Sequence, residues 1–261
     1  MEKLDYFTKQ SGTKLFQDLE WNIPEQKTGI VSIIGGNSEN FATVIHSAEK
    51  LSSTYPLKTI NLLLPESLKS KLPPLPDLIF LPATDSGSIK KSDVLNDYVD
   101  SSDFALFLGD LSKNSETSIA ISGALKETST PALITRDTID LILPEMPDII
   151  ERGHLFIVGS LAQMQKLFRA VYYPKVLLLS MPLIPVVEAL HKFTLSYPCT
   201  ILTFHQEQII VANHGKVVAV PLKNTGYSPI SLWNGELASK IAANNVFSAG
   251  QPLEATVFSI S

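Results

Sequence analysis

The chain has 261 residues, 44% of them apolar and only 18% charged, which gives enough apolar surface for a sizeable core and excludes a disordered chain. A formal net charge of −5 excludes the basic stripe of a general nucleic-acid binder and suits a cytoplasmic protein. The single cysteine, Cys199, excludes an intramolecular disulfide.

Residues 1–12 (MEKLDYFTKQSG) contain no apolar core of the signal-peptide kind. Residues 1–28 are expected to form an extension packed on a single domain that spans 29–261. From residue 29 the pattern alternates. Residues 29–34 (GIVSII) form a β-branched run typical of buried parallel strands, followed by Gly35-Gly36-Asn37-Ser38 and a helix at 41–52. Strands are expected at 58–64 and 78–81, a short helix at 93–98, and a strand at 104–108 that stops at Gly109-Asp110. A helix at 116–127, capped by Ser115, precedes a strand at 131–135 and a short helix at 138–143. The proline-rich run at 72–76 (LPPLP) reads as a rigid loop.

Further along, a strand at 154–158, a helix at 161–170, a strand at 176–180 and a helix at 184–194 complete the alternating part. Prolines interrupt the long apolar stretch at 176–185, so it falls short of a membrane span and no membrane partner is expected. Cys199 lies where a strand begins, and reads as a small buried hydrophobe rather than a nucleophile. Three closely spaced strands follow at 200–204, 208–212 and 217–221, with Asn213-His214-Gly215 as a hairpin turn, and then a helix at 235–246. Strands separated by helices imply a mainly parallel sheet with helices on both faces, here closed by an antiparallel C-terminal edge.

Several junctions carry groups suited to ligands. Gly35-Gly36-Asn37-Ser38 joins a strand to a helix, an arrangement that binds anions through backbone N–H groups, or simply makes a tight turn with Asn or Ser as the helix cap. Asn234-Gly235-Glu236 opens the last long helix, either as an anion hole with Glu236 as general base or as an Asn cap with an acidic first turn. Asp103, Asp110 and Asp137 are expected at strand ends on one sheet edge, where carboxylates hold Mg²⁺ through water or cap helices. Arg136 neutralises a phosphate or pairs with Asp137. The five histidines include no i, i+4 pair and have no cysteine partner, so no metal site is expected. His205-Gln206-Glu207 reads as a solvated turn.

The order of these segments resembles the NAD(P)H-hydrate dehydratases, carbohydrate-kinase-like enzymes of the ribokinase-like superfamily, over residues 29–256. Ile33-Ile34-Gly35-Gly36-Asn37-Ser38 looks like the strand and Gly-Gly-Ser turn that open that family, and Leu64-Pro65-Glu66 looks like the end of its next strand. Residues 103–108 with Gly109-Asp110-Leu111-Ser112 stand where the family has a Gly-x-Gly-Leu-Gly segment, and keep one of its glycines. Residues 133–139 (LITRDTI) look like its Asp-Ala-Asp-Ala-Leu strand end, with Asp137 in an acidic position. The family's His-Pro-Gly-Glu and Lys-Gly features fall at 156–162 and 203–206, where this chain lacks them.

The family's Gly-Thr-Gly-Asp motif corresponds to Trp233-Asn234-Gly235-Glu236, preceded by Thr225-Gly226. One glycine remains there, and the acid is Glu in place of Asp. The resemblance implies a ribokinase-like three-layer α/β/α fold, a homo-oligomer, ADP or ATP with Mg²⁺ as cofactor, and a nucleotide or dinucleotide as ligand. The implied reaction phosphorylates the hydroxyl of hydrated NAD(P)H and then eliminates phosphate, with Glu236 as base and Gly35, Gly36, Asn37, Ser38, Thr225, Gly226, Asn234 and Gly235 around the anion. The eroded motifs imply a divergent protein with weakened or lost catalysis that keeps nucleotide binding. The alternative is an active dehydratase or small-molecule kinase.

Overall fold

The structure, a computed structural model, describes residues 5–9, 16–75 and 77–260. Its elements begin with Phe7–Lys9 (β1), Thr28–Gly35 (β2), Ala42–Thr54 (α1), Leu57–Pro65 (β3), Leu78–Leu81 (β4), Asp93–Asp100 (α2), Phe104–Gly109 (β5) and Ser115–Glu127 (α3). They continue with Ala132–Thr135 (β6), Asp137–Leu141 (α4), Met146–Ile149 (α5), Leu155–Ser160 (β7), Leu161–Ala170 (α6) and Leu183–Ser196 (α7). Cys199–His205 (β8), Gln208–Asn213 (β9) and Lys216–Pro221 (β10) form a meander that leads to Glu236–Phe247 (α8) and Pro252–Phe258 (α9).

The described strands form one sheet in the order β1-β10-β9-β8-β7-β6-β5-β2-β3-β4. β9 runs antiparallel to both its neighbours, and every other pairing is parallel. Alternate residues of each central strand feed opposite faces, as the two-residue period of a strand requires. In β6, Ala132 and Ile134 join the cluster beneath α3, α6 and α7, whereas Leu133 joins the cluster that packs on α1, α8 and α9. Three layers result. β5, β6 and β7 have apolar side chains on both faces, so their sequences read as continuous apolar runs.

The sheet decides where the chain departs from expectation. Residues 176–180 are not a strand: β7 is already paired with β6 and β8, so no sheet edge is vacant where the chain leaves α6. Ser115 is the first residue of α3, and Asn114 caps it by accepting the Thr117 N–H at 2.8 Å. β1, which carries no strand signal of its own, adds to β10 with Phe7 opposite Val217. Pro76, in the proline-rich loop, lies outside the described residues. Asp103 immediately precedes β5 and so lies at the opposite sheet edge from Asp110 and Asp137, which follow the carboxyl ends of β5 and β6. The Asp103 carboxylate accepts the Ile30 N–H at 2.8 Å.

Candidate functional site

β2 and β5 approach so closely at their carboxyl ends that only glycine fits. A Cβ on Gly35 would stand 2.5 Å from the Gly109 carbonyl oxygen, and the Gly36 N–H donates to that same oxygen at 2.9 Å. The turn that follows uses its own amides. Asn37 N–H donates to the Asn40 carbonyl and Ser38 N–H to the Gly87 carbonyl, both at 2.9 Å. Asn37 Oδ1 accepts from Glu39 and Asn40 N–H at 2.8 and 3.0 Å, and its Nδ2 donates to the Asp110 carbonyl at 2.7 Å. Neither Asn37 nor Ser38 caps α1, whose preceding residue is Phe41. An anion would have to displace these bonds to reach the turn's N–H groups.

Beside that turn lies a partly buried charge network. Asp137 accepts the Asp110 and Leu111 N–H groups at 2.9 and 2.8 Å, one on each carboxylate oxygen. Both carboxylate oxygens of Asp110 face the Arg136 guanidinium, at 2.5 and 3.1 Å, with the two side chains only 13% and 10% exposed. Arg136 therefore pairs with Asp110 and not with Asp137. Such a bidentate pair is strongly directional, and removing either partner strands the other charge. Asp110 and Arg136 are held at φ 57°, as the crowded junction demands.

The second half of the candidate site is the start of α8. Gly235 has φ 74°, and a Cβ there would meet Ser47 Oγ at 2.7 Å, Leu108 Cδ1 at 3.1 Å and Thr43 Cγ2 at 3.2 Å. The helix thus begins against α1 and the end of β5, next to the Gly35–Gly109 contact. Gly235, and not Asn234, is the cap residue; Asn234 Oδ1 accepts the Glu236 N–H at 3.1 Å. The Glu236 carboxylate pairs with Lys50 of α1 at 2.7 Å, and Trp233 is 48% exposed on the loop before the helix. Trp233 therefore points largely to solvent.

Thr225 bonds within its own loop: its Oγ1 donates to the Leu222 carbonyl at 3.0 Å and accepts the Tyr227 N–H at 3.2 Å, and Gly226 between them is exposed. The structure brings Gly35, Gly36, Asn37, Ser38, Asp110 and Asp137 into one cluster, with Gly235 and Glu236 beside it across α1.

No protein-family model matches the chain, and no curated protein matches its sequence. Solved structures do match. A ribokinase-like superfamily protein of Enterococcus faecalis superposes with a TM-score of 0.64 at 15% identity, over 99% of this chain and 87% of its own. The fold is ribokinase-like. An ADP/ATP-dependent NAD(P)H-hydrate dehydratase of Bacillus subtilis, crystallised with ATP and Mg²⁺, gives 0.60 at 10% identity over 94% of this chain and 84% of its own. A pyridoxal kinase of Bacillus subtilis in complex with ADP gives 0.51 at 9% identity over 90% and 88%.

The residues present do not fit a magnesium site on this ribokinase-like edge, because both oxygens of Asp137 hold amides and both oxygens of Asp110 hold a guanidinium. Among the described residues no cluster of three metal-ligating side chains occurs. Nor do the Gly36, Asn37 and Ser38 amides fit a nucleotide phosphate, since each already bonds a backbone carbonyl. His205 is 3% exposed and bonds the Met181 carbonyl at 2.8 Å, so it is fixed in the interior rather than solvated. Among the described residues no helix is long and apolar enough to cross a membrane.

Sequence reasoning missed a hollow of about 620 Å³ at the opposite sheet edge, lined by Asp103, Phe104, His154, Asn213 and His214 among others. Its lining comes from strand starts and from the ends of β9 and α8, which are far apart in sequence and carry no shared motif.

Proposed function

We propose that the chain is a catalytically silent ribokinase-like protein that acts by binding a nucleotide or dinucleotide rather than by turning it over. One observation carries this reading: the carboxylates of Asp110, Asp137 and Glu236 and the amides of Gly36, Asn37 and Ser38, which phosphoryl transfer would use at the carboxyl edge, already have partners within the chain. Phosphoryl transfer depends on positioned donors, metal and base, and gains little from a fold that lacks them. Glu236, paired with Lys50, does not stand free as a base. The half-buried Thr225, the exposed Gly226 and the positive-φ start of α8 remain as the surface for metal-independent contact with ligand.

Thermal unfolding with ADP or ATP, with and without Mg²⁺, tests both halves. At tenfold saturation a ligand stabilises by about 1.4 kcal/mol, a rise of roughly 3–5 °C for a chain of this size, and the rise should be the same without Mg²⁺. Hydrated NADPH mixed with the protein and either nucleotide should show no increase in turnover. Turnover that needs Mg²⁺ and disappears in Glu236→Gln would establish the active-enzyme reading instead, which the acid in the first turn of α8 favours.

A further inference from the structure

The hollow of about 620 Å³ at the amino edge of the sheet lies on the face that α8 and α9 cover, and strand register builds its floor. Phe156 stands opposite Thr200, Thr200 opposite Asn213, and Asn213 opposite Lys216. Directly paired residues share a face, so these side chains form one row across β7, β8, β9 and β10. With strands about 4.8 Å apart, the row is about 14 Å long. The volume of the hollow falls within the range of small-molecule sites, about 300–1,000 Å³. A Cβ on Gly153 or Gly250, both on its lining, would meet nothing within 4 Å, so the mouth is open.

The lining offers three different kinds of contact. At one end the Phe104 and Phe156 rings, with centroids 5.2 Å apart, and Leu253 of α9 make an apolar wall suited to a ring. Asn213 in the row and Asn245 from α8 are each 8% exposed. Asn213 Nδ2 donates to Thr200 Oγ1 and Asn245 Nδ2 to the Ile241 carbonyl, both at 2.8 Å, and neither Oδ1 accepts from a described residue. Buried acceptors without partners are costly, so a donor on a ligand gains most there. At the far end of the row Lys216 is exposed, and His154 and His214 border the same mouth. Among the described residues none of these three pairs with a carboxylate. Of the two carboxylates on the lining, Asp103 holds the Ile30 N–H beside β5 and Glu254 belongs to α9.

We propose that this hollow binds an aromatic organic anion that also carries a hydrogen-bond donor. The ring lies against Phe104 and Phe156, and the donor meets the Asn213 and Asn245 carbonyl oxygens. A carboxylate, sulfonate or phosphate meets Lys216, with the His154 and His214 imidazoles beside it. The site is at the opposite edge of the sheet from the glycine turn and Glu236, so it stands whether or not the carboxyl edge binds nucleotide.

8-Anilinonaphthalene-1-sulfonate combines a ring system, an N–H and a sulfonate, and its fluorescence reports transfer into an apolar site. Titrated against the folded full chain, it should saturate a single site. N-phenyl-1-naphthylamine, which lacks the sulfonate, should bind about tenfold more weakly, the effect of losing one hydrogen bond to a charged group. Lys216→Ala should weaken the sulfonate by about the same factor and leave the neutral probe unchanged. Ala249→Trp, at an exposed position on the lining, should block both probes with the circular dichroism spectrum and thermal midpoint unchanged. Leu179→Asp, at a site 73% exposed on the loop before α7, should alter neither affinity. Binding that does not saturate, equal affinity of the native chain for the two probes, binding that survives Ala249→Trp, or binding lost in Leu179→Asp would overturn the proposal.

Discussion

Asp137 holds the Asp110 and Leu111 amides on separate carboxylate oxygens, and Asp110 in turn holds Arg136. A hydrogen bond to a charged group contributes about 1.5–3 kcal/mol, so Asp137→Ala is expected to lower unfolding stability by about 3 kcal/mol in urea titration. Glu236→Gln removes only a half-exposed ion pair and should stay within about 0.5 kcal/mol. A second residue-scale effect concerns alkaline pH. Burial pushes the Cys199 thiol from 9.0 up to about 12 and the Tyr55 phenol from 10.0 up to about 12. The folded state therefore favours their neutral forms. The stability they contribute is complete below pH 9 and is lost as the pH rises toward 12, because the unfolded chain releases these protons first. Urea midpoints should fall above pH 9, and Cys199→Ala should flatten the early part of that fall.

At the scale of elements, the β2–β5 junction leaves no room for a side chain. Gly109 has φ 103° and a Cβ there would collide with the Asp137 carboxylate, so Gly109→Ala should cost about 2–3 kcal/mol and disturb the Asp110–Arg136 pair. Equilibrium unfolding measures the cost. The sequence signal for each element depended on its surroundings. β4 and α6 match their expected limits because a short apolar run and an amphipathic helix are each marked by their own local residue pattern. Residues 176–180 carry the same apolar β-branched and leucine pattern as a strand, yet pairing is a property of the sheet, and β7, which the chain has just left, is already paired on both sides. β1 shows the reverse: three residues with little pattern become a strand because β10 offers an open edge.

For the molecule as a whole, all described strands share one sheet with apolar clusters on both faces, so we expect one cooperative unfolding transition, with calorimetric and van't Hoff enthalpies equal. The N-terminal strand joins that unit through the Tyr6–His191 stack, whose ring centroids lie 3.6 Å apart. Tyr6→Ala should therefore lower the same single transition by about 1 kcal/mol beyond its lost burial, rather than produce a second one.

By itself the sequence determined the alternation of strands and helices, the parallel sheet with its C-terminal hairpin, and which junctions carry glycine and acid. Those features follow from local periodicity and from residue types that only certain backbone shapes accept. Tertiary structure alone decided which groups are free. Asp110, Arg136, Asp137 and the amides around Asn37 are separated by up to a hundred residues, and only their meeting at one sheet edge shows that they satisfy one another. Hydrogen-bond saturation is a property of that meeting, not of any segment, so no local pattern announces it.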